Sequence, residues 1–161
     1  MLMYDSAKNV PSLPSAEAYA AYVNADFATN KDEVVKRFPK ARVFGIDVLG
    51  DDWDIASIFD FEPGNAVFDP DKLKMAVTRR ENFRPHTSVV YCDRDNLAAA
   101  EAALSGLWYM VWISTLDGTV ITGQKTANGS LIVGTQYKGG ETALYDTSQV
   151  LEQWVYGTLL P

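Results

Sequence analysis

A chain of 161 residues that is 47% hydrophobic and 22% charged carries enough apolar mass for one core without staples, so a single barrel-sized domain over 1–161 is expected. The formal charge of -7 at pH 7 leaves no basic stripe to neutralise phosphates, which argues against a nucleic-acid partner. One cysteine, Cys92, excludes an internal disulfide, and with His86 as the only histidine an N/S metal site is not expected.

Residues 2–5 read as a first strand. Residues 15–20 predict a short helix capped by Ser12 or Ser15, and 21–24 a second strand. Asn30 caps a helix through Arg37, with Val34, Val35 and Phe38 as its apolar face and Pro39 as its stop. Residues 42–48 form a third strand that runs into Gly50-Asp51-Asp52, and 55–60 a fourth. Asp69 caps a helix with Pro70 in its first turn, reaching about Glu81, its buried stripe being Leu73, Val77 and either Met75 or Ala76. A fifth strand over 87–92, an Ala-rich helix over 96–104 and a sixth strand over 107–114 follow. Asp117-Gly118 and Asn128-Gly129 are turn signals that predict a hairpin between them. Residues 130–137 make a seventh strand, and 143–154 an eighth, with or without a closing helix. Strands alternating with helices predict an α/β fold with a parallel sheet. Eight strands favour a compact, irregular TIM-type (β/α) barrel, shorter than a full (β/α)8 barrel, which usually has more than ~200 residues.

The strand ending Phe59-Asp60-Phe61-Glu62 carries the most chemistry. Alternation puts Asp60 and Glu62 on one face and the two phenylalanines on the other. Pro63-Gly64 stops the strand, so the carboxylate pair sits at its C-terminal tip, where catalytic groups gather in parallel α/β folds. A solvated D-x-E opening a polar loop is the plainer alternative. Asp5 ends the first strand in the same manner. Asp47 shares a face with Val43 and Gly45; it joins the site if that face is the barrel interior, and is otherwise a strand-end residue in water. Trp53, in an acidic loop, is a candidate cover for the barrel mouth. Cys92 ends an apolar run and reads as a small buried filler rather than a nucleophile paired with His86.

Met3-Tyr4-Asp5-Ser6, Tyr22-Val23-Asn24, Phe59-Asp60-Phe61-Glu62, Val89-Val90-Tyr91-Cys92, Trp108-Tyr109-Met110-Val111-Trp112-Ile113, and Gly134-Thr135-Gln136-Tyr137 with Tyr145-Asp146 occur in one order. In that order they resemble the glycoside hydrolase-like domains of actinobacteria and their phages, which are similar to family 25 lysozymes. The chain departs from the lysozymes at Thr135, where they place tryptophan, and in its length. The resemblance implies catalytic carboxylates at Asp60 and Glu62, with Asp5 and Asp146 beside them. It also implies sugar contacts from Tyr91, Trp112, Gln136 and Tyr137, with Asp47 as a further candidate.

On that reading the protein acts on bacterial cell-wall peptidoglycan. Glu62 is the general acid, its pKa raised by Asp60 and partial burial, and Asp60 steadies the developing positive charge or orients the substrate's acetamido group. The alternative is a catalytically inactive barrel that serves as a structural or carbohydrate-binding module of a phage virion, with other virion proteins as partners. Neither reading needs a metal or cofactor. The first residues lack a basic, then apolar, leader, and no run approaches the ~20 apolar residues of a membrane span. No membrane partner is therefore expected, and localisation is cytoplasmic until lysis or virion-associated.

Overall fold

Successive residues of a strand point to opposite faces, so each strand of a closed sheet gives one set of side chains to the inside and the other to the outside. A computed structural model describes residues 1–6, 10–28, 30–139 and 143–159. Its strands are β1 (Leu2–Asp5), β2 (Ala18–Tyr22), β3 (Arg42–Asp47), β4 (Ile58–Asp60), β5 (Val89–Asp93), β6 (Met110–Ser114), β7 (Ile132–Lys138) and β8 (Asp146–Val150). They pair in chain order and close into a barrel. Neighbours from β1 to β7 are parallel, whereas β8 runs antiparallel to both β7 and β1. Four α-helices occur among the described residues: α1 (Asn30–Arg37), α2 (Pro70–Phe83), α3 (Leu97–Ala103) and α4 (Glu152–Val155). None is long and apolar enough to cross a membrane.

The α/β barrel expected from the sequence is thus present, in compact and irregular form. Three apolar clusters divide the work. The inside holds Met3, Ala18, Ala20, Ile46, Ile58, Val89, Met110 and Trp112. Outside, Phe59, Phe61 and Val90 pack under α2 and α3, and Tyr19 and Ala21 pack against Val34 of α1. In α2, Asp69 accepts from the N–H groups of Asp71 (2.8 Å) and Lys72 (3.2 Å), with Pro70 in the first turn. Leu73, Ala76 and Val77 form its buried stripe; Met75 is exposed.

The helix expected over 15–20 is not there. Residues 18–20 belong to β2, despite their alanines, because Ala18 and Ala20 are the small residues that the barrel interior takes opposite bulky neighbours. Tyr19 points out, stacks on Phe38 at 4.4 Å, and uses its hydroxyl to accept from Ala16 N–H (2.6 Å) and donate to the Pro14 carbonyl (2.7 Å). Those two bonds hold the preceding segment extended. The fourth strand is also shorter than 55–60, since Ile55 and Ala56 are drawn into a turn on the Asp52 carbonyl. Around Asn128-Gly129 a narrow hairpin forms through Lys125 and Leu131.

Trp112 fills the centre of the barrel, and the strands are arranged around it. Its indole N–H donates to Ser148 Oγ across the interior (3.0 Å), and Tyr91 lies against it at 4.7 Å. Gly134 makes the room: a Cβ there would stand 2.9 Å from Trp112 Cδ1 and 3.2 Å from Val150 Cγ1. Gly134→Ala should therefore destabilise the protein by about 1–3 kcal/mol through overpacking. A lower urea midpoint at unchanged slope is the expected readout, and an unaltered midpoint would contradict this packing.

Candidate active site

Because β1 to β7 are parallel, their C-terminal tips all lie at one end of the barrel; β8, running the other way, brings its first residue to that end. Asp5 closes β1, Asp146 opens β8, and the two are directly opposed in the ladder. Opposed residues in an antiparallel pair have Cα atoms about 4.5–5.5 Å apart and side chains on the same face. Asp60 closes β4. Phe61 N–H then bonds to the Tyr91 carbonyl (2.8 Å), carrying the chain one step further so that Glu62 also faces inward. Beyond it, Gly64 turns at φ +100°.

These four acids line one depression of about 270 Å3, whose walls include Tyr22, Tyr91, Ser114, Gln136 and Tyr145 and whose floor is Trp112. Among the described residues no lysine or arginine lines it. Asp5 is 4% exposed and Asp60 3%, and each keeps one carboxyl oxygen, Oδ1, without a hydrogen-bond partner. Burial pushes the Asp5 carboxyl well above the usual carboxylate range, and Asp146, Asp60 and Glu62 push it further. Asp60 is likewise driven well up, by burial and then by Glu62, with the Asn65 side chain opposing. Glu62 is less enclosed. Its pKa is raised by burial, then by Asp93 and Asp146, against a hydrogen bond from Tyr91. Tyr22 and Tyr91 are held protonated by burial and by the surrounding acids, so both present hydroxyls as donors. A cluster of this kind retains protons at pH values where free carboxyls have lost them, the condition for a carboxylic acid to act as a proton donor.

Seven of the residues proposed from sequence line the depression: Asp5, Asp60, Glu62, Tyr91, Trp112, Gln136 and Asp146. Asp47 does not. The interior face of β3 carries Phe44 and Ile46, so Asp47 points outward, yet it is fully buried rather than in water. Its carboxylate accepts from Asn24 Nδ2 (2.6 Å) and from the N–H groups of Leu49 (2.8 Å), Gly50 (2.7 Å) and Asp52 (2.9 Å). It anchors the β3–β4 loop. Tyr137 also faces away from the depression, as the neighbour of Gln136 must, and lies near Tyr4. Trp53 packs edge-on to Phe83 of α2 at 5.8 Å, away from the mouth. Cys92 is buried under the outer helices with its thiol pushed up to about 12, as an inert filler should be. Tyr22, Ser114 and Tyr145 were not anticipated as site residues. The signal for Ser114 was its even spacing from Trp112, and for Tyr22 its parity with Ala18 and Ala20.

No family model matches the chain, and no curated protein matches it. Solved structures do. A muramidase from Trichobolus zukalii superposes with a TM-score of 0.63 at 8% identity, over 98% of this chain and 99% of that one. An uncharacterized B. stearothermophilus protein gives 0.60 at 14% identity, over 96% and 97%. The CTP1L endolysin gives 0.53 at 12% identity, over 97% of this chain and 69% of the endolysin. The fold is one that a muramidase and an endolysin share.

The acids give stability a definite pH dependence. Because the fold raises the pKa values of Asp5 and Asp60 above their ordinary 3.8, their contribution is complete below that value and is lost as pH rises through the elevated ones. Asp5→Asn removes one such proton from the balance. It should raise Tm relative to the parent at pH 7 and leave it nearly unchanged near pH 3.5. Each pKa unit is worth about 1.4 kcal/mol, or ~3–6 °C in Tm at this chain length. A loss of Tm at pH 7 would mean that the carboxylate is stabilised as the anion.

Proposed function

We propose that this chain is a lysozyme-like glycoside hydrolase acting on bacterial cell-wall peptidoglycan, akin to family 25 lysozymes and to the glycoside hydrolase-like domains of actinobacteria and their phages. The observation that carries the proposal is the meeting of Asp5, Asp60, Glu62 and Asp146, from both ends and the middle of the chain, in one hydroxyl-rimmed depression. Solvated strand ends have no reason to share a cleft. The shared fold of a muramidase and an endolysin adds support.

In this mechanism Glu62 gives its proton to the glycosidic oxygen as the bond to the sugar C1 breaks. Asp60 stabilises the positive charge that develops on the sugar, or orients the acetamido group whose oxygen attacks C1. Water then adds at C1 and returns a proton to Glu62. In the empty site the protons belong to the coupled cluster rather than to one residue. A sugar laid over Glu62 removes its water, which raises its pKa further, while charge building on the sugar favours the anion at Asp60. Asp146 acts on Glu62 through space, and Asp5 interacts in the same way with Asp146, Asp60 and Glu62. Tyr91 and Gln136 supply hydrogen bonds to the sugar, and no metal or cofactor is required by these steps.

Release of reducing ends from purified peptidoglycan tests the assignment. Glu62→Gln should lower the rate by about 10²–10⁴, the usual contribution of a general acid, with Tm nearly unchanged because shape is kept. No reducing ends from the parent, where a lysozyme is active, would overturn it. One feature favours a second reading, a catalytically silent carbohydrate-binding or structural module of a virion. The depression is slightly smaller than the ~300–1,000 Å3 of pockets that bury a drug-sized ligand, and its tryptophan is floor rather than platform. Thr135, where the resemblance calls for tryptophan, is buried on the outer face against Thr122. Binding of peptidoglycan fragments without turnover would select that reading.

A further inference from the structure

The other end of the barrel has the opposite character. A cavity of about 670 Å3 opens at the N-terminal ends of β3 to β6, beside α4. Among the described residues it is lined by Lys31, Arg42, Arg80, Arg84 and His86 and by no aspartate or glutamate, although the chain as a whole has 21 acids against 14 bases. One wall is apolar: Trp154, stacked on Phe44 at 4.4 Å, with Tyr156, Met110 and Pro85.

Among the described residues no carboxylate forms an ion pair with Lys31, Arg80 or Arg84, and Arg80 is fixed in place. Arg80 is 5% exposed, and its guanidinium is held by donating from Nε to Thr87 Oγ1 (2.9 Å) and from Nη1 to the carbonyls of Trp53 and Asp54 (3.1 Å each). Among the described residues nothing accepts from its Nη2. Lys31 gives one donor to the Ile55 carbonyl (3.0 Å) and has two more. Glu81, the acid next in sequence to Arg80, is occupied elsewhere, accepting from the N–H groups of His86 (2.6 Å), Thr87 (3.3 Å) and Ser88 (2.9 Å). The ion pair found among the described residues, Arg94–Asp117, involves none of these cations. Burial depresses the Lys31 pKa, with Arg80 and Arg84 adding to it against Asp32 and Asp54; burial and then Arg84 depress that of Arg80, against Glu81 and Asp54. Three cations thus stand near one another without a carboxylate in contact among the described residues, opposed through space by Asp32, Asp54 and Glu81, and the cavity between them offers room for an anion.

We infer that this cavity binds an organic phosphate monoester, its phosphoryl group on Lys31, Arg80 and Arg84 and its organic body against Trp154, Tyr156 and Met110. Two guanidinium groups and an ammonium lining one cavity offer several donors to a tetrahedral dianion, more than a lone carboxylate can use. The volume and the aromatic wall exceed what bare phosphate fills. This site is independent of the acidic depression, which lies at the opposite strand ends.

Phenyl phosphate is a suitable probe, followed by calorimetry or tryptophan fluorescence. It should bind saturably at one site, more tightly than inorganic phosphate, while neutral phenol should not bind. Lys31→Gln and Arg84→Ala, neither of whose side chains takes part in the Arg80 hydrogen bonds, should each weaken it, and together at least tenfold, with Tm preserved. Glu62→Gln should leave the affinity unchanged. Undiminished affinity in the double variant, equal binding of phenol or of inorganic phosphate, or no saturable binding at millimolar probe would each overturn the inference.

Discussion

Everything at the acidic end depends on the antiparallel closure of the barrel. A sheet in which every strand ran parallel would bring the last strand's C-terminal residue to the β1 tip; here β8 is reversed and brings its first residue instead. Asp146 is thereby placed opposite Asp5, and the two acids most distant in sequence become nearest neighbours across the seam. Neither end of the chain alone could hold that arrangement, because the Asp146 carboxylate repels that of Asp5 and burial opposes the charge of Asp5. The hydrogen bonds and apolar packing of the closed barrel outweigh the repulsion. Retained protons are the consequence.

The seam, the floor and the wall act together. Trp112 reaches across to Ser148 of β8, so the strand that delivers Asp146 is tied to the centre of the barrel two residues later. Gly134 leaves the space that the indole needs. The Asp146 carboxylate itself lies where a side chain at Gly139 would stand, which makes Gly139 as necessary to the site as the acids. Meanwhile Asp47 accepts from Asn24 Nδ2 and three backbone N–H groups and so holds the start of the β3–β4 loop. Acids gather at one end of the molecule and unpaired cations at the other, an asymmetry that the net charge of -7 conceals.

Much of this was legible in residue pattern. The Asp60 and Glu62 face, the Asp69 cap, the strand order and the barrel followed from alternation, capping and counting. What failed did so for tertiary reasons. The run Ala16 to Ala21 has helical propensity, but a barrel interior takes small residues at Ala18 and Ala20 whatever their propensity. Asp47 could not be placed by parity alone, since the face of β3 that points inward is decided by Phe44 and Ile46. The reversal of β8 left no mark on a strand of five residues, and the basic cavity collects residues from α1, α2, β3 and α4 with no local motif. The order of short motifs carried the resemblance to lysozymes; an 8–14% identity to the structures sharing the fold explains why it lay in that order and not in matched residues.

A crystal structure of the Glu62→Gln protein with a muramyl oligosaccharide tests the central claim most directly. If the acid cluster is the working site, a sugar ring lies over Trp112 and Tyr91, with a glycosidic oxygen about 2.6–3.2 Å from the substituted side chain and Asp60 beneath the adjoining sugar. An oligosaccharide seated anywhere else on the barrel, with the depression left to water, would contradict it.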